Sequence, residues 1–251
     1  MFAGLKPLPR VRMWAGPNGS GKSTLLSTLS PNLIGVYVNA DEIERLVKET
    51  GFLDLSKFNV RTTSEDFHAF MDEHSLLVKF GMEAQAKQIV LNGDNVDFQV
   101  VHMDSYFASA TADFIRHKLL EQGENFTFET VMSSVDKVQF LELAHRMGYR
   151  TYLYYVSTES VEVNIQRVAL RVAQGGHPVS EDKIRKRYEG SLALLQGAVE
   201  ASDRAFIFDN TNMPATLLAE ITNGTEVAFH AELPDWFIRS YVSKVMAPGD
   251  Y

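Results

Sequence analysis

The sequence predicts an α/β protein of the P-loop NTPase class, with a central, mostly parallel sheet flanked by helices, a helical insertion and a helical lid. Three observations carry this expectation. The run Gly16-Pro17-Asn18-Gly19-Ser20-Gly21-Lys22-Ser23 places four free positions between two glycines and follows them with Lys and Ser. A short apolar run precedes it, and a helix-forming run from Thr24 to Leu29 follows it. Further along, β-branched and aromatic runs alternate with helical stretches, as in a parallel sheet covered on both faces.

The first expected strand holds Val11, Met13 and Trp14, just before the loop. The second runs from Gly35 to Asn39, the third from Asn125 to Thr130, and the fourth from Thr151 to Ser157. A fifth covers Ala205 to Phe208, and Glu226 to His230 is a candidate sixth. Between the second and third strands, residues 50–105 are long for a crossover and read as a helical insertion. Ser64 can cap a helix with Phe67, Phe70, Met71 and Leu77 at helical spacing, and Asn92-Gly93 suits a helix stop. A second helix would hold Phe107, Ala110 and Phe114. The insertion either shapes an acceptor pocket or only elaborates the packing.

The chain of 251 residues, 45% apolar, can bury a real core, and a single kinase domain over 1–251 is expected. A net charge of -8 argues against broad nucleic-acid binding. The absence of cysteine excludes disulfides and thiolate metal sites and suits a reducing compartment. With neither a signal-peptide core nor an apolar run of spanning length, no membrane partner is expected, and the expected location is cytoplasmic.

The glycine-rich loop is built to wrap a polyphosphate, because glycine reaches the φ > 0 angles that turn backbone N–H groups inward. Gly16, Pro17, Asn18, Gly19, Ser20, Gly21, Lys22, Ser23 and Thr24 are therefore the candidate nucleotide-binding residues. In the mechanism attached to this pattern Lys22 reaches the β- and γ-phosphates and the Ser23 hydroxyl ligates Mg²⁺, so ATP and Mg²⁺ are the expected cofactors. A helix starting here adds its positive end to the phosphate site.

On the acceptor side, Asp41 follows the second strand in Asn39-Ala40-Asp41-Glu42-Ile43. Ligands of open α/β sheets sit at strand carboxyl ends, so Asp41 is a candidate base for a substrate hydroxyl; capping the next helix is its other reading. Glu129 ends the third strand, where a carboxylate can meet a Mg²⁺-bound water or a sugar hydroxyl; Ser133 and Ser134 can add hydrogen bonds at the following turn. Residues 160–190 read as the lid. Asn164, Arg167 and Arg171 share one helical face, Gly175-Gly176 can act as a hinge before His177, and Lys183, Arg185, Lys186 and Arg187 open a second helix. Arg171 is a candidate catalytic cation, with Arg167 and Arg185 as candidate substrate contacts; a solvated charged face is the plainer reading. Asp209-Asn210 after the fifth strand suits a turn, and a contact near the adenine or a structural cap is expected there rather than the metal.

These blocks, in this order, resemble the zeta toxin family of bacterial P-loop kinases. The resemblance rests on Ala15 to Thr24, Asn39-Ala40-Asp41-Glu42-Ile43, Phe128-Glu129-Thr130, and the Arg167 to Tyr188 block with Gly175-Gly176-His177. It implies ATP- and Mg²⁺-dependent phosphorylation of UDP-N-acetylglucosamine on its amino-sugar 3′-hydroxyl, and a small antitoxin partner. Carried over by position, it makes Lys22 and Ser23 nucleotide and Mg²⁺ ligands, Asp41 the base, Glu129 the sugar contact and Arg171 a lid arginine. Better-known toxins place a Gly-Thr-Leu-Arg-like run after the glutamate, whereas this chain has Thr130-Val131-Met132-Ser133 and lacks the basic residue. The sequence therefore predicts a kinase with a small-molecule acceptor. A kinase for another small-molecule or nucleotide acceptor, or an NTP-gated switch, is the alternative.

Overall fold

The computed structural model describes residues 7–176 and 178–246, and the chain divides into two compact units. One comprises Met1–Leu33 with Glu129–Tyr251, the other Ile34–Phe128. The strands among the described residues are β1 (Arg10–Ala15), β2 (Val36–Val38), β3 (Phe52–Asp54), β4 (Val90–Asn92), β5 (Asn95–Asp97), β6 (Phe126–Thr130), β7 (Arg150–Ser157), β8 (Arg204–Asp209), β9 (Thr216–Thr222) and β10 (Glu226–Phe229).

In the first unit the strand order is β10-β9-β8-β7-β1. β1 and β8 each pair with β7 in parallel, while β9 and β10 close the edge antiparallel. The central strands are buried on both faces, and β1 is buried from Val11 to Ala15 with Arg12 included. On one face Trp14, Tyr154 and Phe206 sit at matching register positions and stack, with ring centroids 4.5 and 5.0 Å apart. On the other, buried Tyr155 meets the Trp236 ring at 6.2 Å and shares a hydrogen bond with Ser191 Oγ at 3.1 Å. Three parallel strands put three turns at one edge: Gly16–Gly21 after β1, Thr158–Ser160 after β7, and Asn210–Thr211 after β8. That edge is where ligands of such sheets bind.

In the second unit β2 pairs in parallel with β6, Val36 opposite Phe126 and Val38 opposite Phe128. The helix Ala40–Thr50 starts at Asn39, whose side chain accepts the Asp41 N–H at 2.9 Å, and ends at Gly51 with φ 78°. The helix Ser105–Gln122 starts at Asp104, which accepts the amides of Tyr106 and Phe107. It buries Phe107 and Phe114, as its spacing predicts.

The insertion departs from the expected all-helical form. It holds helices Ser64–Glu73, Ser75–Lys79 and Glu83–Ala86, but also an antiparallel sheet in the order β3-β5-β4. Thr63, not Ser64, is the helix cap, accepting the Asp66 N–H at 3.2 Å. Asn92-Gly93 is no helix stop: it turns the chain between β4 and β5, with Gly93 at φ 61°. β9, for which the sequence carries no expected strand, makes the far edge of the first unit's sheet antiparallel. Among the described residues no helix is long and apolar enough to cross a membrane.

Candidate active site

The glycine-rich loop leaves β1 and enters the short helix Lys22–Leu26. Its glycines are needed twice over. Gly16, Gly19 and Gly21 have φ of 141°, 81° and 88°, angles that L side chains resist. Each is also pressed from outside, because an added Cβ would lie 2.0 Å from Val156 O at Gly16, 2.5 Å from Asn164 O at Gly19 and 2.1 Å from Asn210 Nδ2 at Gly21. The Lys22 ammonium donates to Gly16 O at 2.8 Å and Pro17 O at 3.0 Å, while the Ser20 N–H donates to Pro17 O at 3.2 Å. Thr24 is exposed on the first turn of the helix, where its carbonyl accepts the Ser27 hydroxyl at 2.7 Å.

A residue of the helix after β7 and one of the turn after β8 hold the loop. Asn164 Nδ2 donates to Asn18 O at 2.7 Å, and Asn210 Nδ2 donates to Ser20 O at 2.7 Å. Both asparagines are buried. Asn164 Oδ1 accepts the buried Thr158 hydroxyl, and Tyr188 OH donates to Thr158 O at 2.7 Å. Burial pushes the Tyr188 phenol up to about 12. Arg187 Nη1 meets Asn18 Oδ1 at 3.2 Å. Helical spacing places Asn164 on the polar lid face and Asn210 follows a strand end, and neither position signals a contact with the loop.

Ser23 and Glu129 are brought together: the Ser23 hydroxyl donates to Glu129 Oε2 at 2.8 Å. A hydroxyl beside a carboxylate is the oxygen donor set that a hard cation such as Mg²⁺ takes. Among the described residues no group of three or more His, Asp or Glu is arranged to hold a metal. After Glu129 the chain turns at Met132, whose φ is 54° although its side chain is buried. Ser133 is exposed and packs on Gly190, where an added Cβ would lie 3.3 Å from Ser133 O. Asp41, in the other unit, is exposed on the first turn of its helix. Asn39 makes the cap, so the Asp41 carboxylate is not needed for it.

The lid residues form helices Val161–Ala173 and Glu181–Ala193. Gly175, at φ 92°, turns the chain after the first, and His177 lies outside the described residues. The arginines do different things. Arg167 donates to Asn210 O at 2.7 Å and Thr211 O at 3.0 Å, so it closes the β8 turn. Arg185 pairs with Glu162 at 2.8 Å and Glu181 at 2.7 Å. Its hydrogen bond holds the Glu162 carboxyl below the usual carboxylate value. Arg171 is exposed, with Gly176 packed against its stem. Of its two readings Asp209 takes the structural one: its carboxylate accepts Thr211 N–H at 2.8 Å and Trp236 Nε1–H at 2.6 Å.

Comparison with known proteins points the same way as this geometry. The zeta toxin family model matches residues 93–217, which take in Glu129, both lid helices and Asn210 and begin after the phosphate loop. A Haemophilus influenzae protein described as uncharacterized is 29% identical over 107 residues, covering 41% of this chain and 76% of its own length. The structure of the PezAT chromosomal toxin-antitoxin system of Streptococcus pneumoniae is similar over 100% of this chain and 83% of that one, with 14% identity and a TM-score of 0.50. At that identity the likeness is one of fold. A crystal structure of AvrRxo1-ORF1 with AvrRxo1-ORF2 and ATP aligns over 97% of this chain and 65% of that chain, at 12% identity and a TM-score of 0.49.

Proposed function

For a chain whose residues 93–217 belong to the zeta toxin family, we propose an ATP-dependent kinase that transfers the γ-phosphoryl group to a hydroxyl of a small molecule. The observation that carries this reading is the Ser23–Glu129 hydrogen bond at the end of a glycine-rich loop, which sets an acidic oxygen beside the loop's metal-side hydroxyl. A carboxylate beside the loop serine also serves the metal of other P-loop NTPases, so the arginine-bearing helices after β7 are what favour phosphoryl transfer over a motor or transporter.

In the proposed reaction the loop amides and Lys22 hold the polyphosphate, and lid cations offset charge on the transferring group. Bound Mg²⁺ would supply further charge neutralisation, held on the protein side by Ser23 with Glu129. Asp41 takes the acceptor proton as the hydroxyl oxygen forms its bond to phosphorus and the bond to the ADP oxygen breaks. Arg171 and Arg187 are the cations we assign to phosphate. Arg167, on the carbonyls of Asn210 and Thr211, is assigned to holding the turn, and Arg185, between Glu162 and Glu181, to holding the lid. UDP-N-acetylglucosamine is the first acceptor to test, on the strength of the family resemblance. An antitoxin partner and action in the cytoplasm belong to the same proposal, and the likeness to the PezAT fold supports looking for the partner.

The test is mass spectrometry of a small-molecule pool incubated with the protein, ATP and Mg²⁺, with UDP-N-acetylglucosamine as one arm. A product heavier by one phosphoryl group is expected. Nucleotide binding with slow hydrolysis and no phosphorylated acceptor would replace the kinase by an NTP-gated switch.

A further inference from the structure

We propose that Asn164 and Asn210 are positioning residues that aim the amide donors of the phosphate loop, each acting through one peptide unit. The proposal rests on the nucleotide-binding reading above and adds to it the residues that preorganise the loop. Asn164 Nδ2 bonds the carbonyl of Asn18, and Asn210 Nδ2 bonds the carbonyl of Ser20, both at 2.7 Å. In a trans peptide the C=O and the following N–H point in opposite directions. Tethering the Asn18 carbonyl therefore turns the Gly19 N–H away from Asn164. Tethering the Ser20 carbonyl turns the Gly21 N–H away from Asn210. The two glycine amides are thus set in the orientation an anion nest requires before any anion arrives.

The glycines themselves report the same pairing. The Asn164 backbone presses on the Cα of Gly19, and the Asn210 amide presses on that of Gly21, at distances no Cβ tolerates. Each asparagine thus touches the residue whose N–H it orients. The asparagines are in turn fixed. The Asn18 carbonyl can only accept, which settles that Nδ2 of Asn164 faces it and leaves Oδ1 towards the Thr158 hydroxyl. The Asn210 backbone is held on both sides, its N–H by Ser157 O at 2.8 Å and its carbonyl by Arg167 at 2.7 Å. Ser20 is the internal control, because its N–H is directed to Pro17 O within the loop at 3.2 Å.

The experiment titrates the ¹⁵N-labelled full chain with inorganic tripolyphosphate and with Mg·ATP, following amide shifts by NMR and affinity by calorimetry. In the wild type the Gly19 and Gly21 amide protons should move downfield on tripolyphosphate, and that of Ser20 should move less. Asn164→Ala should abolish the Gly19 response alone, and Asn210→Ala the Gly21 response alone. Each variant should bind about tenfold more weakly, the loss expected for one donor to a charged group. A structural role without positioning would lower thermal stability and leave this one-to-one pattern unseen. Should either variant fail to fold, the wild-type titration still decides, since a Ser20 response larger than those of both glycines overturns the proposal. Variants that bind as tightly as wild type also overturn it and leave the kinase reading standing. A wild type that binds neither ligand removes both.

Discussion

Ser23 Oγ and Glu129 Oε2 are 2.8 Å apart and hydrogen-bonded, joining the start of the helix after the phosphate loop to the end of β6. The contact spans 106 positions of sequence, and no local preference creates it. It links the residue named by the loop motif to one named only by its place at a strand end.

Glu129 either supports the cation side of the site or meets the acceptor, and one substitution separates the two. Glu129→Gln keeps the shape and removes the charge. If Glu129 serves the cation, the Mg²⁺ concentration for half-maximal turnover rises about tenfold or more, the usual effect of losing a partner of a metal ligand. If it serves the acceptor, the acceptor KM rises and the Mg²⁺ dependence stays where it was. Steady-state rates over a matrix of Mg²⁺ and acceptor concentrations give the answer.

Lys22 and Asp41 are expected to fail in different ways. Lys22→Ala removes the cation that the loop holds at Gly16 O and Pro17 O, and nucleotide-dependent activity is lost. Asp41→Asn leaves the Asn39 cap intact, because the cap uses the Asp41 backbone and not its carboxylate. That variant should fold and bind ATP as the wild type does, with turnover lower by about 10²–10⁴-fold, the span of a general base. Full turnover in Asp41→Asn would assign the base elsewhere.

The loop, most strands and the lid helices were legible because each has a local signal. A glycine pattern names the loop, short runs rich in apolar and aromatic residues name β1, β7 and β8, and spacing of three and four names the helix Val161–Ala173. What escaped has a physical reason in each case. Gly93 at φ 61° suits a helix end and a hairpin turn equally, and the flanking strands are three residues long, too short to show alternation. β9 breaks the alternation itself, since a register shift at Ile207/Phe208 leaves Leu218 and Ala219 both buried. The arginines were legible as a face but not as partners. Helical spacing cannot say that Arg167 meets the carbonyls of Asn210 and Thr211, which lie 43 and 44 positions away.

Gly16→Ala probes how tightly the loop is seated on β7. The new Cβ would lie 2.0 Å from the Val156 carbonyl oxygen, a backbone atom that cannot swing aside, at a φ of 141°. The strain exceeds the roughly 1–3 kcal/mol of an unfavourable backbone angle alone. The thermal midpoint falls by about 2–4 °C for each kcal/mol in a chain of this size. A scanning calorimetry trace unchanged from wild type would mean that the loop does not rest on β7.

Glu162 and Arg185 tie the start of one lid helix to the other, and pH reads the tie directly. The Arg185 hydrogen bond holds the Glu162 carboxyl below its ordinary value of 4.5. A carboxylate whose folded value is depressed contributes stability above its unfolded value, and loses it as pH falls through the folded one. The pair is exposed, so its effect on the thermal midpoint is small and shrinks with salt. The informative measurement is therefore the Glu162 side-chain titration followed by NMR. In wild type its midpoint lies below 4.5, and Arg185→Ala returns it towards 4.5. A titration that Arg185→Ala does not move means that the two helices are not joined in this way in solution, which frees Arg185 for the substrate contact that the sequence first suggested.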